Sequence, residues 1–257
     1  PSIQESVLLR PAFDHHFDTI KVSWRYFASR DTNALSVEGA WLDRKGIRVI
    51  ADFTDGLNHY PDLTLTDNCP GKWERSRDII LSVLERLQAI GCRDAVIGLS
   101  RAPEAYFSNS ECMDSYIRNI RTLCDEGEAR SIRIHLQMRP GHMVKLSQDI
   151  LDLISSVERK NLFFCLNSSH SLIEGEDMLS VLKLAGDRCK VVLLSSPTKD
   201  QFGQTYNAHA PISSSEYNVV LQGLVQVAGD KTLVLDAVYG DRDAEFRDAV
   251  LLTGVSL

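Results

Sequence analysis

RSRDIILSVLERLQAIGCRDAVIGLS, residues 75–100, carries one whole structural unit. Ile79, Ile80, Val83, Leu84, Leu87 and Ile90 fall on one stripe at helical spacing, which predicts a helix over Arg75–Ile90. Gly91 stands just past that stripe, where a helix end commonly takes a left-handed residue and glycine adopts it without strain. Asp94–Ser100 (DAVIGLS) is then a short, unbroken apolar run. A strand exposed on one face alternates polar with apolar residues, whereas an unbroken run suits a parallel strand covered on both faces.

The same alternation recurs along the chain. Strand-like runs occupy Thr19–Phe27 (TIKVSWRYF), Ile47–Phe53 (IRVIADF), Ile132–Met138 (IRIHLQM), Leu162–Asn167 (LFFCLN), Lys190–Ser196 (KVVLLSS) and Lys231–Val238 (KTLVLDAV). Helical stripes fall at Met113–Cys124, Met143–Val157, Asp177–Ala185 and Glu216–Ala228, the last followed by Gly229. A further run, Ser6–Phe13 (SVLLRPAF), is broken by Pro11 and lies too close to Thr19 for a crossover helix. The pattern predicts an α/β fold, a (β/α)8-type TIM barrel with an incomplete or irregular first βα unit. An open doubly wound sheet would carry a glycine-rich phosphate loop after its first strand, and no G-x-G-x-x-G or Walker loop occurs. No Pro/Gly/Ser-rich linker divides the chain, so one domain over 1–257 is expected, and the lack of an initiator Met suggests a piece of a longer polypeptide.

Composition narrows the partners. The 257 residues hold 28 Lys plus Arg against 35 Asp plus Glu, a net charge of -7, with no dense basic cluster. Nucleic acid is therefore not the expected partner, since neutralising phosphates needs a basic face. The apolar runs are strand-sized, well short of a membrane span, so a soluble protein is expected. Six cysteines without a C-x-x-C pair point to buried thiols in a reduced, cytoplasmic setting rather than to a zinc ribbon or a disulfide framework.

In a parallel barrel the carboxyl ends of the strands converge on one mouth. Read as strand ends, the runs offer Trp24 and Arg25; Asp52, Asp55, Asn58 and His59; Ser100, Arg101 and Glu104; His135, Gln137 and Arg139; Asn167 and His170; Ser195, Lys199 and Asp200; and Asp236 and Asp241. Strand alternation makes neighbours such as Trp24 and Arg25 exclusive candidates for pointing inward. The long stretches Pro61–Trp73 and Pro197–Ser215 are read as loops at that mouth.

Three segments resemble the xylose-isomerase-like barrels, the superfamily of sugar isomerases, sugar epimerases and endonuclease-IV-type enzymes. They are the helix Ser76–Ile90 with Gly91-Cys92-Arg93 and the strand after it, Asn58-His59-Tyr60-Pro61, which is similar to that family's His before Pro, and Asn167-Ser168-Ser169-His170, which resembles its Asp-x-x-His. The resemblance implies a carbohydrate substrate or ligand and a site for one or two divalent cations held by Glu, Asp and His. The chain departs from that pattern: Gln137 stands for the Glu, Asn167 for the Asp, Ser195 where a His is common, and Asp236 keeps the last acid. Each amide keeps the shape of an acid and loses its charge, which weakens a cation site. Any metal ligands retained are His170 and Asp236.

Several chemistries stay open. Proton abstraction beside a sugar carbonyl needs a base, for which His135, His170 and Asp236 are candidates, and an electrophile, for which Arg139 or Lys199 can replace a metal. Trp24, Arg25, Asp52, His59, Gln137, Arg139, Asn167 and Lys199 are the expected substrate contacts. A carboxylate pair from Asp52, Asp55, Glu104 and Asp236 would suit glycoside hydrolysis without a metal. A barrel that has lost its metal site can also serve as a carbohydrate-binding or scaffolding module, alone, as an oligomer or beside another domain. No G-x-S-x-G elbow supports serine catalysis.

Overall fold

A computed structural model of the chain describes residues 17–54, 63–66, 71–99, 109–140, 143–213, 216–237 and 242–253. The run Ser6–Phe13 and the residues Asp55, Asn58, His59, Ser100, Arg101, Glu104 and Asp241 lie outside the described residues.

Seven parallel strands form one sheet whose order follows the chain. They are β1 (Thr19–Ser23), β2 (Arg48–Asp52), β3 (Asp94–Gly98), β4 (Arg133–Gln137), β5 (Leu162–Asn167), β6 (Cys189–Leu194) and, after an intervening hairpin, β9 (Thr232–Leu235). The hairpin pairs β7 (Ser196–Lys199) with β8 (Thr205–Ala210) antiparallel. β1 and β9 are the two ends of the sheet, yet Lys21 on β1 reaches Asp236 just past β9, so the sheet curls into a nearly closed barrel. The register staggers around it: Ile50 pairs with Asp94, Val96 with His135, Gln137 with Cys165 and Leu193 with Val234.

Alternation along each strand sorts the side chains into two sets. Ile50, Val96, Cys165, Val191, Leu193 and Val234 pack together inside the barrel. Their alternates, among them Val22, Val49, Ala51, Ile97, Leu136, Phe164 and Val192, face the surrounding helices in the larger core. Those helices are α1 (Trp24–Ala28), α2 (Thr32–Arg44), α3 (Lys72–Ile90), α4 (Asn109–Ala129), α5 (Ser147–Val157), α6 (Ser168–Ile173), α7 (Met178–Ala185), α8 (Asn218–Val227) and α9 (Arg242–Thr253). No helix of the described residues is long and apolar enough to cross a membrane. The five described cysteines are all buried and unpaired with one another.

The run read as one strand over Thr19–Phe27 breaks at Ser23, whose hydroxyl accepts from the Arg25 amide and starts α1. α3 begins at Lys72, ahead of its apolar stripe, because Trp73 is buried as well. It ends at Gly91 with φ 76°, as the sequence predicts. The stretch Pro197–Ser215 is not a plain loop, since most of it is the hairpin.

α2 meets α3 through Gly39: a Cβ there would lie 2.5 Å from the carbonyl oxygen of Ile90. Gly39→Ala would gain up to about 1 kcal/mol of helix propensity but force two backbones apart. We expect a net loss of about 1–3 kcal/mol, read as a lower urea midpoint with an unchanged slope. A raised midpoint would show that the helices can separate at little cost.

Candidate functional site

The site grows from strand ends. Asp52 closes β2, Gln137 closes β4 and Asn167 closes β5, while Asp236 follows β9 with its amide donating to the Leu194 carbonyl at 2.8 Å. By alternation Lys21 points into the lumen, and its ammonium reaches across the gap between β1 and β9. Lys21 Nζ lies 2.8 Å from Asp52 Oδ2 and 2.5 Å from Asp236 Oδ1. The second oxygen of Asp52 accepts from the Thr54 amide at 2.8 Å. The second oxygen of Asp236 meets Asn167 Nδ2 at 3.5 Å and His209 Nδ1 at 3.3 Å. His209 Nδ1 is also 2.9 Å from the Asp236 backbone carbonyl, and these contacts hold His209 at φ 47°, a left-handed value uncommon for a side chain of this size.

Charge follows from these contacts. Burial opposes ionisation of Lys21, but Asp52 and Asp236 together outweigh it and raise its pKa. Burial likewise works against the Asp236 carboxylate, yet His209 and Lys21 overcome it and hold its pKa below the usual carboxylate value. The hydrogen bond to Asp236 raises His209. His170 goes the other way, since burial lowers it to about 4 and leaves a neutral imidazole at physiological pH.

The tautomer of His170 is set by its neighbours. Its Nδ1 is 2.9 Å from the Met138 carbonyl, which can only accept, so Nδ1 carries the proton and Nε2 the basic lone pair. Gln137 Nε2 lies 3.2 Å from that same Nδ1, where it packs against the ring but cannot donate while Nδ1 carries the proton, and Asn167 Oδ1 accepts from the His170 amide at 3.2 Å. The Asn167–His170 spacing thus does two things: it starts α6 and aims the imidazole.

Arg139 is buried, with Nη2 donating to the Thr54 carbonyl at 3.1 Å. Gly98, last in β3, makes room for it, because a Cβ there would lie 3.0 Å from Arg139 Nε. Among the described residues, Gln137 Oε1 and Ser195 Oγ are buried without a hydrogen-bond partner. Such atoms are costly unless a ligand or water meets them.

Of the residues singled out from sequence, the structure brings Asp52, Gln137, Asn167, His170 and Asp236 to one end of the barrel, with Arg139 and Ser195 beside them. It does not bring His135 there. That imidazole sits inside the barrel with Nε2 2.7 Å from the carboxylate of Asp94, the first residue of β3, so it belongs toward the opposite end. A cavity of about 550 Å³ at that end is lined by Gly39, Arg48, Asp94 and Arg133 among others. Arg25 is exposed on α1, 6.0 Å from the Trp24 ring, and Trp24 itself stacks on Phe53 with centroids 6.4 Å apart. Lys199 pairs with Glu216 at 2.8 Å on the surface, and Asp200 caps the hairpin turn by accepting from the amides of Phe202 and Gln204. His59 lies outside the described residues.

Sequence reasoning missed Lys21 and His209. Lys21 carried a signal, a cation in the middle of the apolar run TIKVS with the same parity as the lumen residues. His209 carried none, because its position depends on the hairpin.

Among the described residues, the donor set does not fit a divalent cation. Both carboxylates are bound to the Lys21 ammonium, Gln137 and Asn167 are neutral amides, and the proton on His170 Nδ1 is held by Met138. Among the described residues no three His, Cys, Asp or Glu side chains are grouped to hold a metal ion as the chain stands, with the Lys21 ammonium between the two carboxylates.

Known proteins give the same architecture. The chain is 26% identical to the 2-oxo-tetronate isomerase of Haemophilus influenzae over 193 residues, 72% of each chain. It superposes on the 3-keto-D-glucoside 4-epimerase of E. coli with a TM-score of 0.74 at 14% identity, covering 96% of this chain and 93% of that one. A xylose isomerase domain protein from Planctomyces limnophilus gives 0.73 at 15% identity, with 96% and 91% covered. Those two likenesses speak for the fold alone. The profile of the xylose isomerase-like TIM barrel matches residues 9–228, and the chain belongs to that family.

Proposed function

We propose that the mouth binds a small, open-chain, polyhydroxylated carbonyl compound, a sugar or sugar acid, and moves a proton on the carbon beside its carbonyl. The observation that carries this reading is His170, a buried neutral imidazole with its proton tied to Met138 and its basic nitrogen defined. A general base must be unprotonated at working pH and fixed in orientation, and His170 is both. Gln137, Asn167 and Ser195 offer hydroxyl-sized polar contacts around it. The Arg139 guanidinium supplies a fork that suits a carbonyl or carboxylate oxygen. The names of the Haemophilus influenzae relative and the E. coli fold neighbour both carry a keto-bearing sugar derivative and a rearrangement, which supports the same class. Asp236 is unsuited to be the proton donor of a glycosidase pair, since His209 and Lys21 hold its pKa below the usual carboxylate value.

The test is deuterium wash-in followed by NMR, with a panel of short ketoses, aldoses and 2-oxo sugar acids in D₂O. Exchange is expected at the carbon next to the carbonyl, falling about 10²–10⁴-fold in His170→Gln. The two amides where the family resemblance implies acids favour a second reading, a carbohydrate-binding barrel without turnover. Saturable binding of a panel member with no exchange would select that one.

A further inference from the structure

We propose that the Lys21 ammonium is the resident cation of this mouth, neutralising Asp52 and Asp236 where a divalent ion would otherwise be held. It rests on the reading that the mouth is the working site, and it names what supplies positive charge there. Three observations lead to it. The two carboxylates come from β2 and from the end of β9, strands that are not neighbours in the sheet, yet both converge on one nitrogen, at 2.8 and 2.5 Å. The ammonium is largely shielded, its side chain 17% exposed and its carboxylate partners 7% and 10%. Among the described residues, the other groups meeting the Asp236 carboxylate are an amide and an imidazole, Asn167 and His209, which add no negative charge. One cation against two carboxylates, with His209 biased toward its protonated form, leaves little negative charge to attract a second cation, and Lys21 itself would repel one.

This differs from a purely structural clamp across the gap between β1 and β9. A clamp predicts only that losing Lys21 weakens the fold. A resident cation predicts that the vacated acid pair captures a metal.

The experiment is titration of the whole chain, purified without a chelating column, with MnCl₂, reading free Mn²⁺ by electron paramagnetic resonance. The wild type should show no saturable uptake up to about 1 mM. Lys21→Gln should take up one Mn²⁺ per chain at least about tenfold more tightly, and a second change, Asp236→Asn, should abolish the gain. Where Lys21→Gln does not stay folded, circular dichroism carries the same information: Mn²⁺ or methylammonium should restore the folded spectrum, and Asp236→Asn should prevent the rescue by Mn²⁺. Stoichiometric Mn²⁺ on the wild type would overturn the proposal. So would a Lys21→Gln protein that is indifferent to both Mn²⁺ and methylammonium. Because turnover is not measured, failure of the isomerase reading would leave these outcomes intact, and the converse also holds.

Discussion

Replacing Lys21 by methionine is expected to cost about 3–5 kcal/mol of folding stability, because it strands two carboxylates in a largely buried place without their counter-charge. The loss belongs to the unpaired acids more than to the missing ammonium. The triple variant Lys21→Met, Asp52→Asn, Asp236→Asn should therefore recover most of it, since replacing a buried ion pair whole is far milder than breaking it. Urea denaturation at neutral pH measures both. A loss under about 1 kcal/mol in the single variant would mean that water already solvates the acids, as at an exposed pair.

Acidification should give the second large effect. His170 has its pKa lowered to about 4 in the folded chain, mainly by burial, against an ordinary value near 6.5. Between those values the unfolded chain binds the extra proton and the folded one does not. Stability from this group is full above about pH 6.5 and falls as pH drops toward 4, by about 3 kcal/mol. His209 runs opposite. Its hydrogen bond to Asp236 raises its pKa, so its contribution is present below 6.5 and is lost as pH rises through the folded value. That term is the smaller, because the His209 side chain is 40% exposed. Denaturation midpoints across pH 4–8 for the wild type and His170→Gln test the pair. The acid slope should flatten in the variant, and an unchanged slope would place the titration elsewhere.

Periodicity made most of the barrel legible. Apolar-rich runs located the seven strands of the parallel sheet within a few residues, and the stripe through Ile80, Leu84 and Leu87 located α3. Two of the helices missed, α2 and α9, have buried faces that are not wholly apolar. α2 buries Glu38 and Gly39 beside Leu35 and Leu42, with Glu38 accepting from the Tyr26 hydroxyl at 2.6 Å, so its stripe is diluted. α9 buries Asp248, which accepts from the amides of Ile212 and Ser213, a long-range role that spacing cannot show. In the site, Asp52, Gln137, Asn167 and Asp236 were legible because strand ends in a parallel barrel must converge. His135 shows the limit of that rule. It lies two residues before Gln137 on the same side of β4, but its partner Asp94 begins β3, so the side chain serves the other end.

The sheet order also bears on the time course of folding. Every ladder joins strands that are consecutive around the barrel and close in the chain, apart from the hairpin inserted before β9. Each can form by closing a loop of one βα unit. The Lys21–Asp236 contact instead joins the first described strand to the last. Closing so long a loop is entropically slow, so the contact is expected to form after the ladders have aligned its ends. Groups that come together after the rate-limiting barrier govern escape from the native state rather than arrival at it. Lys21 and Asp236 accordingly act as a latch on lifetime: losing them should shorten the residence of the folded barrel while leaving its rate of formation nearly unchanged.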